Sequence, residues 1–189
     1  MDLTWVYIIV ILIFVYAFYK FFYNDNIVIV SVIDNRPYKV QNAPNRIYAS
    51  TVLSKIRINL EALIKELNKK YPDDYRVINI NQRINLDSIM ETPSHMDYTS
   101  YSLNKGEEIS FCIRDKKNYN NFYPFNVMMF VAIHELSHIA SNGIGHDQEF
   151  YENFKWLLEE ANQLGIYKKE NFNDKPQMYC GINITNELI

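Results

Sequence analysis

The stretch from residue 134 to residue 150, HELSHIASNGIGHDQEF, constrains this chain more than any other. It holds three of the four histidines. His134 and His138 are four positions apart, so on an α-helix both imidazoles lie on one face and can bind one metal ion. Glu135 lies about 100° around the same helix, where its carboxylate reaches a water on the metal instead of the metal itself. The pattern predicts a helix that carries a single-zinc site.

A turn follows this predicted helix and returns the chain toward the two histidines. Asn142 and Gly143 are typical of a helix end, and Asp147 is a favoured cap for the next helix. His146 lies at the end of the return, where a zinc ion needs a third protein ligand and keeps one position for water. The predicted zinc ligands are His134, His138 and His146. Glu135 is the predicted catalytic base, which takes the proton of the water and passes it to the leaving amine.

Hydrophobic periodicity predicts the helices that surround the motif. Residues 126–141 are apolar on most sides, as expected of a helix buried in the middle of a small domain. Residues 147–163 place apolar side chains on one face, which predicts a second helix packed against the first. A third amphipathic pattern covers residues 49–70 and ends before Pro72. Residues 73–85 fit either a short helix or a strand.

Two hairpins are predicted from alternating residues around turn sequences. The first pairs residues 27–33 with residues 38–41, and the second pairs residues 98–103 with residues 108–114. A sheet edge beside the zinc helix can hold an extended substrate by strand addition. The alternative is that these strands only cover the helix. Helices and hairpins together predict an α+β fold with a small β-sheet.

The N-terminus begins with an apolar run. Residues 3–19 carry no charge, and with Lys20 snorkelling the run approaches the roughly 20 helical residues that cross a bilayer. We therefore predict a transmembrane anchor over residues 1–23 and a catalytic domain over residues 24–189. A cleaved signal peptide is the alternative, but no basic segment precedes the run and no small-residue cleavage site follows it. More basic residues follow the run than precede it, which places the domain in the cytoplasm.

Charge and cysteine content limit the other possibilities. A net charge of -3 and a pI near 5.8 argue against a protein whose main role is to bind nucleic acid. Cys112 and Cys180 are too few for a disulfide framework and do not have zinc-ligand spacing, so we predict free thiols in a reducing compartment. A single bridge between them is the alternative. The glycosylation triplet at residues 183–185 would need a luminal domain and is interpreted as a chance match.

Residues 134–167, HELSHIASNGIGHDQEFYENFKWLLEEANQLGIY, resemble the WLM family of zinc peptidases, relatives of the SprT-like DNA–protein-crosslink proteases. They are most similar to membrane-tethered WLM-like proteins of large DNA viruses. Weaker similarity covers residues 98–114 and residues 176–181 (PQMYCG). The resemblance implies a small zincin-like domain with the same three histidine ligands and the same glutamate base. Seven residues separate His138 from His146, a longer turn than in many members, and Tyr151 replaces a common tryptophan.

The expected function is a membrane-anchored zinc metallopeptidase, located in a virion or host-cell membrane, that acts on a protein or peptide. Neither a DNA-repair role nor an oligomeric state is indicated. The donor that would stabilise the oxyanion is not identified, and Tyr151 and Tyr179 are candidates. One alternative is a membrane-anchored structural or virion-assembly protein with a non-catalytic zinc site, which would have no need of Glu135. Another is a secreted peptidase released by cleavage of the N-terminal run.

Overall fold

A computed structural model describes residues 3–22, 26–96 and 99–184 of the chain. The helices are α1 (Leu3–Phe22), α2 (Arg46–Lys70), α3 (Tyr75–Arg83), α4 (Phe125–Ala140) and α5 (Gln148–Gln163). The strands are β1 (Asn26–Val30), β2 (Pro37–Gln41), β3 (Ile89–Glu91), β4 (Tyr101–Leu103), β5 (Glu108–Phe111), β6 (Gln177–Tyr179) and β7 (Ile182–Ile184). This mixture of helices and small sheets confirms the predicted α+β character.

Helix α4 is the centre of the fold. It packs against α2, α3 and α5 on several sides and against β4 and β5 on another. A helix surrounded in this way needs apolar side chains around most of its circumference, and residues 127–133 are all buried. Pro124 lies at its N-cap, where the missing N–H costs nothing. The predicted central helix is confirmed, and it fixes the position of the histidines it carries.

Helices α2 and α3 complete the helical layer. The predicted apolar face of α2 is buried, with Leu53, Ile56 and Leu67 fully inaccessible to solvent. The segment that the sequence left open between helix and strand is helix α3. The Asp74 carboxylate caps α3 by accepting a hydrogen bond from the backbone N–H of Arg76 at 2.9 Å.

The main sheet has the order β3-β5-β4. Strands β4 and β5 form the predicted antiparallel hairpin, with Tyr101 opposite Ser110. Strand β3 lies within residues 87–97, whose polar composition predicts a loop, and it pairs with β5 in parallel. A parallel pairing gives no local turn signal, because its partner is remote in sequence. Strands β3 and β4 are therefore the two edge strands of this sheet.

A buried ion pair joins this sheet to the first hairpin. The Arg114 guanidinium donates to the Glu91 carboxylate at 2.6 and 3.1 Å, and both side chains are essentially inaccessible to solvent. The backbone N–H of Gln41 donates to the same carboxylate at 2.8 Å. Burial raises the pKa of Glu91 although Arg114 opposes the shift. These contacts attach the β1–β2 hairpin to β3.

The prediction of free thiols is wrong. Cys112 and Cys180 form a disulfide, with their Cα atoms 6.2 Å apart. Cys180 and Gly181 form the turn of the β6–β7 hairpin with φ values of 49° and 90°, and this turn lies against the end of β5. A sequence separation of 68 residues hides that proximity from any local pattern. The single bridge that the sequence left as an alternative is the arrangement found.

The predicted transmembrane anchor is also wrong. In the part of the chain that the structure describes, no helix is long and apolar enough to cross a membrane. The single-pass localisation and the cytoplasmic orientation derived from it are corrected accordingly. The domain boundary after residue 23 stays a prediction, since residues 23–25 lie outside the described residues.

Candidate metal centre

The three predicted histidines converge. One ligand nitrogen from each of His134, His138 and His146 lies within 4.8 Å of the others. The Nε2 atoms of His134 and His146 are 3.1 Å apart. Two nitrogens on a tetrahedral zinc ion lie about 3.4 Å apart, given zinc–nitrogen bonds of about 2.05 Å. The cluster therefore has the dimensions of a single-zinc site.

Helix α4 and the loop before α5 carry these three histidines. Helix α4 supplies His134 and His138 from successive turns, and His146 precedes the N-cap of α5. Gly145 adopts φ +90°, a conformation that other residues rarely take. A Cβ on Gly143 would lie 2.2 Å from Asp147 Oδ2, so a side chain there would displace the α5 cap. Helix α4 ends at Ala140, one residue before the predicted end at residue 141.

Phe150 forms the floor of the cluster. Its ring stacks on His138 with centroids 4.3 Å apart, and it also contacts the rings of His134 at 4.9 Å and His146 at 4.6 Å. Phe150 is fully buried. One apolar side chain on the first turn of α5 thus fixes all three imidazole planes.

The electrostatic environment keeps the two helical histidines neutral. Burial, with smaller contributions from the neighbouring histidines, lowers the pKa of His134 to about 3 and that of His138 to about 4. Neutral imidazoles have the free electron pair that zinc requires. The residues present therefore fit a zinc ion. His146 is exposed and closes the cluster from the solvent side.

Glu135 lies beside the cluster in a water-poor position. The side chain is 5% exposed, and desolvation raises its pKa to about 8. It lines the same cleft as the three histidines. The base predicted from the helix geometry is therefore placed next to the metal ligands and not within their cluster.

An open cleft of about 620 Å³ contains these residues. Its floor is α4, one wall is the edge strand β4 with the segment before it, and another wall is the loop of residues 143–146. The β6–β7 hairpin contributes Tyr179, Ile182 and Ile184 to the remaining wall. The cleft leaves the histidine cluster open to the surroundings.

The two candidate tyrosines have different positions. Tyr179 lines the cleft, is 1% exposed, and its hydroxyl lies 2.8 Å from Ser100 Oγ. Burial, with a smaller contribution from the charge of Glu135, raises the pKa of Tyr179. The ring of Tyr151 lies 6.3 Å from that of His146 but does not line the cleft. The structure thus favours Tyr179.

Lys105 is a cleft residue that the sequence analysis did not single out. It lies in the turn between β4 and β5 with φ 56°. Its charge helps to lower the pKa of His138, so the two side chains are close. A lysine in an Asn-Lys-Gly turn gives no sign of such a contact, because the contact depends on how the hairpin packs on α4.

Comparisons with known proteins show which family this chain is similar to. Residues 35–188 match the model of the WLM domain. An uncharacterized protein of Acanthamoeba polyphaga mimivirus is 32% identical over 163 residues, which cover 84% of this chain and 82% of the relative. An uncharacterized protein of Invertebrate iridescent virus 6 is 30% identical over 135 residues, covering 69% of this chain and 71% of the relative.

The fold is similar to a solved structure as well. The crystal structure of Wss1 from Saccharomyces cerevisiae aligns with a TM-score of 0.53 at 21% identity, covering 67% of this chain and 88% of that chain. The match to the family model spans most of the chain and includes the histidine cluster, and both viral relatives align over more than two thirds of it. This metallopeptidase-like protein belongs to the WLM family, close to members from large DNA viruses.

Proposed function

We propose that this protein is a zinc-dependent metallopeptidase that hydrolyses peptide bonds in a protein or peptide substrate. One observation carries the proposal: three imidazoles, two of them held neutral by burial, converge within 4.8 Å at the floor of an open cleft that Glu135 also lines. His134, His138 and His146 would hold the zinc ion. Zinc, when bound, lowers the pKa of a coordinated water toward ~7 and polarises a peptide carbonyl.

Glu135 acts as the general base in this proposal. Its carboxylate accepts a proton from the attacking water and delivers that proton to the nitrogen of the leaving amine. A base works best when its pKa lies near the operating pH. Burial raises the pKa of Glu135 to about 8, and a nearby cation would lower it again. The two opposing effects leave the carboxylate ionised but basic.

The edge strand supplies a place for the substrate. Strand β4 is one of the two outer strands in the order β3-β5-β4, and residues 99–102 line the cleft. An extended peptide can hydrogen-bond to an outer strand through its main chain, with little dependence on its side chains. Burial keeps the Tyr179 phenol protonated, so it can donate a hydrogen bond to the developing oxyanion.

The alternative of a non-catalytic zinc site is less well supported. A structural zinc ion has four protein ligands, usually with Cys or His in the fourth position. Among residues 3–22, 26–96 and 99–184, the cluster holds three histidines, and both cysteines are joined to each other. The cluster also faces the cleft. These features favour a site that keeps one position for water and substrate.

The decisive comparison is wild type against Glu135→Gln in the full-length chain. Wild type should contain about one zinc ion per molecule and should cleave an unfolded protein in a chelator-sensitive manner. Glu135→Gln should keep the zinc and lose activity by about 10²-fold or more, since the general base is gone. Glu152→Gln, an exposed substitution of the same kind on α5, is the matched control. Absence of zinc from wild type, or equal chelator-resistant activity in both proteins, would refute the proposal.

A further inference from the structure

We propose that Lys105 and Glu149 are positioning residues that hold the loop carrying the third histidine in its metal-binding place. We define the ligand loop as residues 141–146, which connect the end of α4 to the cap of α5. The inference rests on the proposed zinc site. It assigns to this site two residues that are neither predicted metal ligands nor the predicted base.

Lys105 binds the carbonyl side of the ligand loop. Its Nζ donates hydrogen bonds to the carbonyl oxygens of Ser141 at 2.7 Å, Asn142 at 2.8 Å and Gly143 at 2.8 Å. An ammonium group has three N–H donors, and each has one acceptor here. The three acceptors are consecutive residues that follow the last helical residue of α4. Lys105 therefore binds the loop itself and not only the end of the helix.

The backbone of Lys105 is held by its surroundings. The following residue, Gly106, has φ +111°, and a Cβ there would lie 2.9 Å from the Arg83 carbonyl oxygen and 3.1 Å from Ile139. The Gly106 carbonyl accepts a hydrogen bond from the backbone N–H of Asn85 at 2.8 Å. The turn is thus packed closely on α3 and α4, and the lysine extends from a fixed base.

Glu149 binds the amide side of the same peptides. Its Oε1 accepts hydrogen bonds from the backbone N–H of Asn142 at 3.0 Å and from the Asn142 side chain at 3.1 Å. Its Oε2 accepts from the backbone N–H of Gly143 at 3.0 Å. These backbone donors lower the pKa of Glu149, so the group stays a carboxylate. Asn142 and Gly143 are held on their N–H groups by an anion and on their carbonyls by a cation.

This arrangement matters because the ligand loop itself is largely exposed. Ile144 is 93% exposed, and Gly145 and His146 are exposed as well. Without the two charged side chains, the loop would populate conformations in which His146 lies away from the other two histidines. The apparent dissociation constant for a metal rises in proportion as the competent population falls. Residues that orient metal ligands typically contribute 10- to 100-fold to metal affinity.

The first test compares Lys105→Met with Arg83→Met. The Arg83 guanidinium also donates hydrogen bonds, both at 2.9 Å, to the carbonyls of Ile139 in α4 and of Ser141, the first residue of the ligand loop, whereas the loop carbonyls of Asn142 and Gly143 accept from Lys105. Zinc affinity is measured by chelator competition on the full-length chain. Lys105→Met should bind zinc about 10- to 100-fold more weakly. Arg83→Met should lower the melting temperature and leave zinc affinity within about twofold of wild type.

The second test changes Glu149 on helix α5, so that the conclusion does not depend on Lys105→Met alone. Glu149→Gln should weaken zinc binding in the same direction, and Glu152→Gln, exposed on the same helix, should not. Lys105→Arg should recover part of the affinity, because a guanidinium also offers several donors. With cobalt in place of zinc, Lys105→Met should show an altered visible absorption spectrum, a property that helix stability alone does not change.

The outcomes separate the two proposals. Absence of metal binding in wild type refutes the zinc site and, with it, the proposed function. Metal binding in wild type with unchanged affinity and cobalt spectrum in Lys105→Met and Glu149→Gln refutes the positioning role alone. An equal loss of affinity in Arg83→Met and Lys105→Met also refutes it, since general stabilisation of α4 would then explain the effect.

Discussion

Glu135→Gln should change how the stability of the metal-free protein depends on pH. The folded protein raises the pKa of Glu135 from 4.5 to about 8 through burial. At a pH between these two pKa values, Glu135 is protonated in the folded state and ionised in the unfolded state. The free energy of unfolding therefore falls as pH rises through this interval, by up to about 1.4 kcal/mol per pH unit. A glutamine has no proton to release, so the substitution removes this dependence.

His134 and His138 have the opposite effect on the pH dependence of stability. They set the pH range in which the effect of Glu135 can be measured by itself. The pKa values of His134 and His138 are lowered from 6.5 to about 3 and about 4. Their folded forms bind fewer protons than their unfolded forms, so they reduce stability as pH falls below 6.5. Above pH 7 both are neutral in either state. The effect of Glu135 is therefore isolated between pH 7 and pH 9.

The expected magnitude in this range follows from the same values. From pH 7 to pH 9, wild type should lose about 1.4 kcal/mol relative to Glu135→Gln, because Glu135 remains protonated in the folded state only up to about pH 8. Urea denaturation in a chelating buffer, followed by circular dichroism, measures this difference. Glu152→Gln should behave as wild type. Parallel pH dependence in wild type and Glu135→Gln would refute the assignment of Glu135 as a buried, neutral group in the metal-free protein.

Three further predictions concern stability. Phe150→Ala should lower the free energy of unfolding by about 3–5 kcal/mol and weaken zinc binding, because it removes a fully buried ring that contacts all three histidines; urea denaturation with chelator competition tests both. Arg114→Met should cost about 3–5 kcal/mol in the same assay, since it leaves the Glu91 carboxylate buried without its partner, and adding Glu91→Gln should recover part of the loss. Reduction of the Cys112–Cys180 bridge, which closes a loop of sequence separation 68, should cost about 4 kcal/mol; a thermal midpoint unchanged by reductant would contradict the bridge.

The histidine cluster was predictable because its main features are local. The spacing of His134 and His138 fixes their common face through helix geometry alone. The same geometry places Glu135 beside that face. The placement of His146 needed only a short turn and a helix cap, and Asp147 caps α5 as expected. Short-range rules of this kind do not depend on the rest of the fold.

The predictions that failed depended on contacts between residues remote in sequence, or they rested on the N-terminal stretch alone. The cysteines were assessed by their number and spacing, whereas their pairing depends on the packing of the β6–β7 hairpin on β5. Strand β3 was not predicted, because its parallel partner β5 begins almost twenty residues later in the sequence. The transmembrane prediction rested on apolarity near the N-terminus, and no helix in the described residues meets the requirement for a span.

The sequence by itself determined that three histidines and a glutamate lie together on and beside helix α4. Only the tertiary structure decided what surrounds them. It brought Tyr179 to the cleft wall, and it placed Lys105 and Glu149 on opposite sides of the ligand loop. Helical spacing is a property of consecutive residues, whereas each of these contacts joins elements whose meeting depends on how the whole core packs around α4.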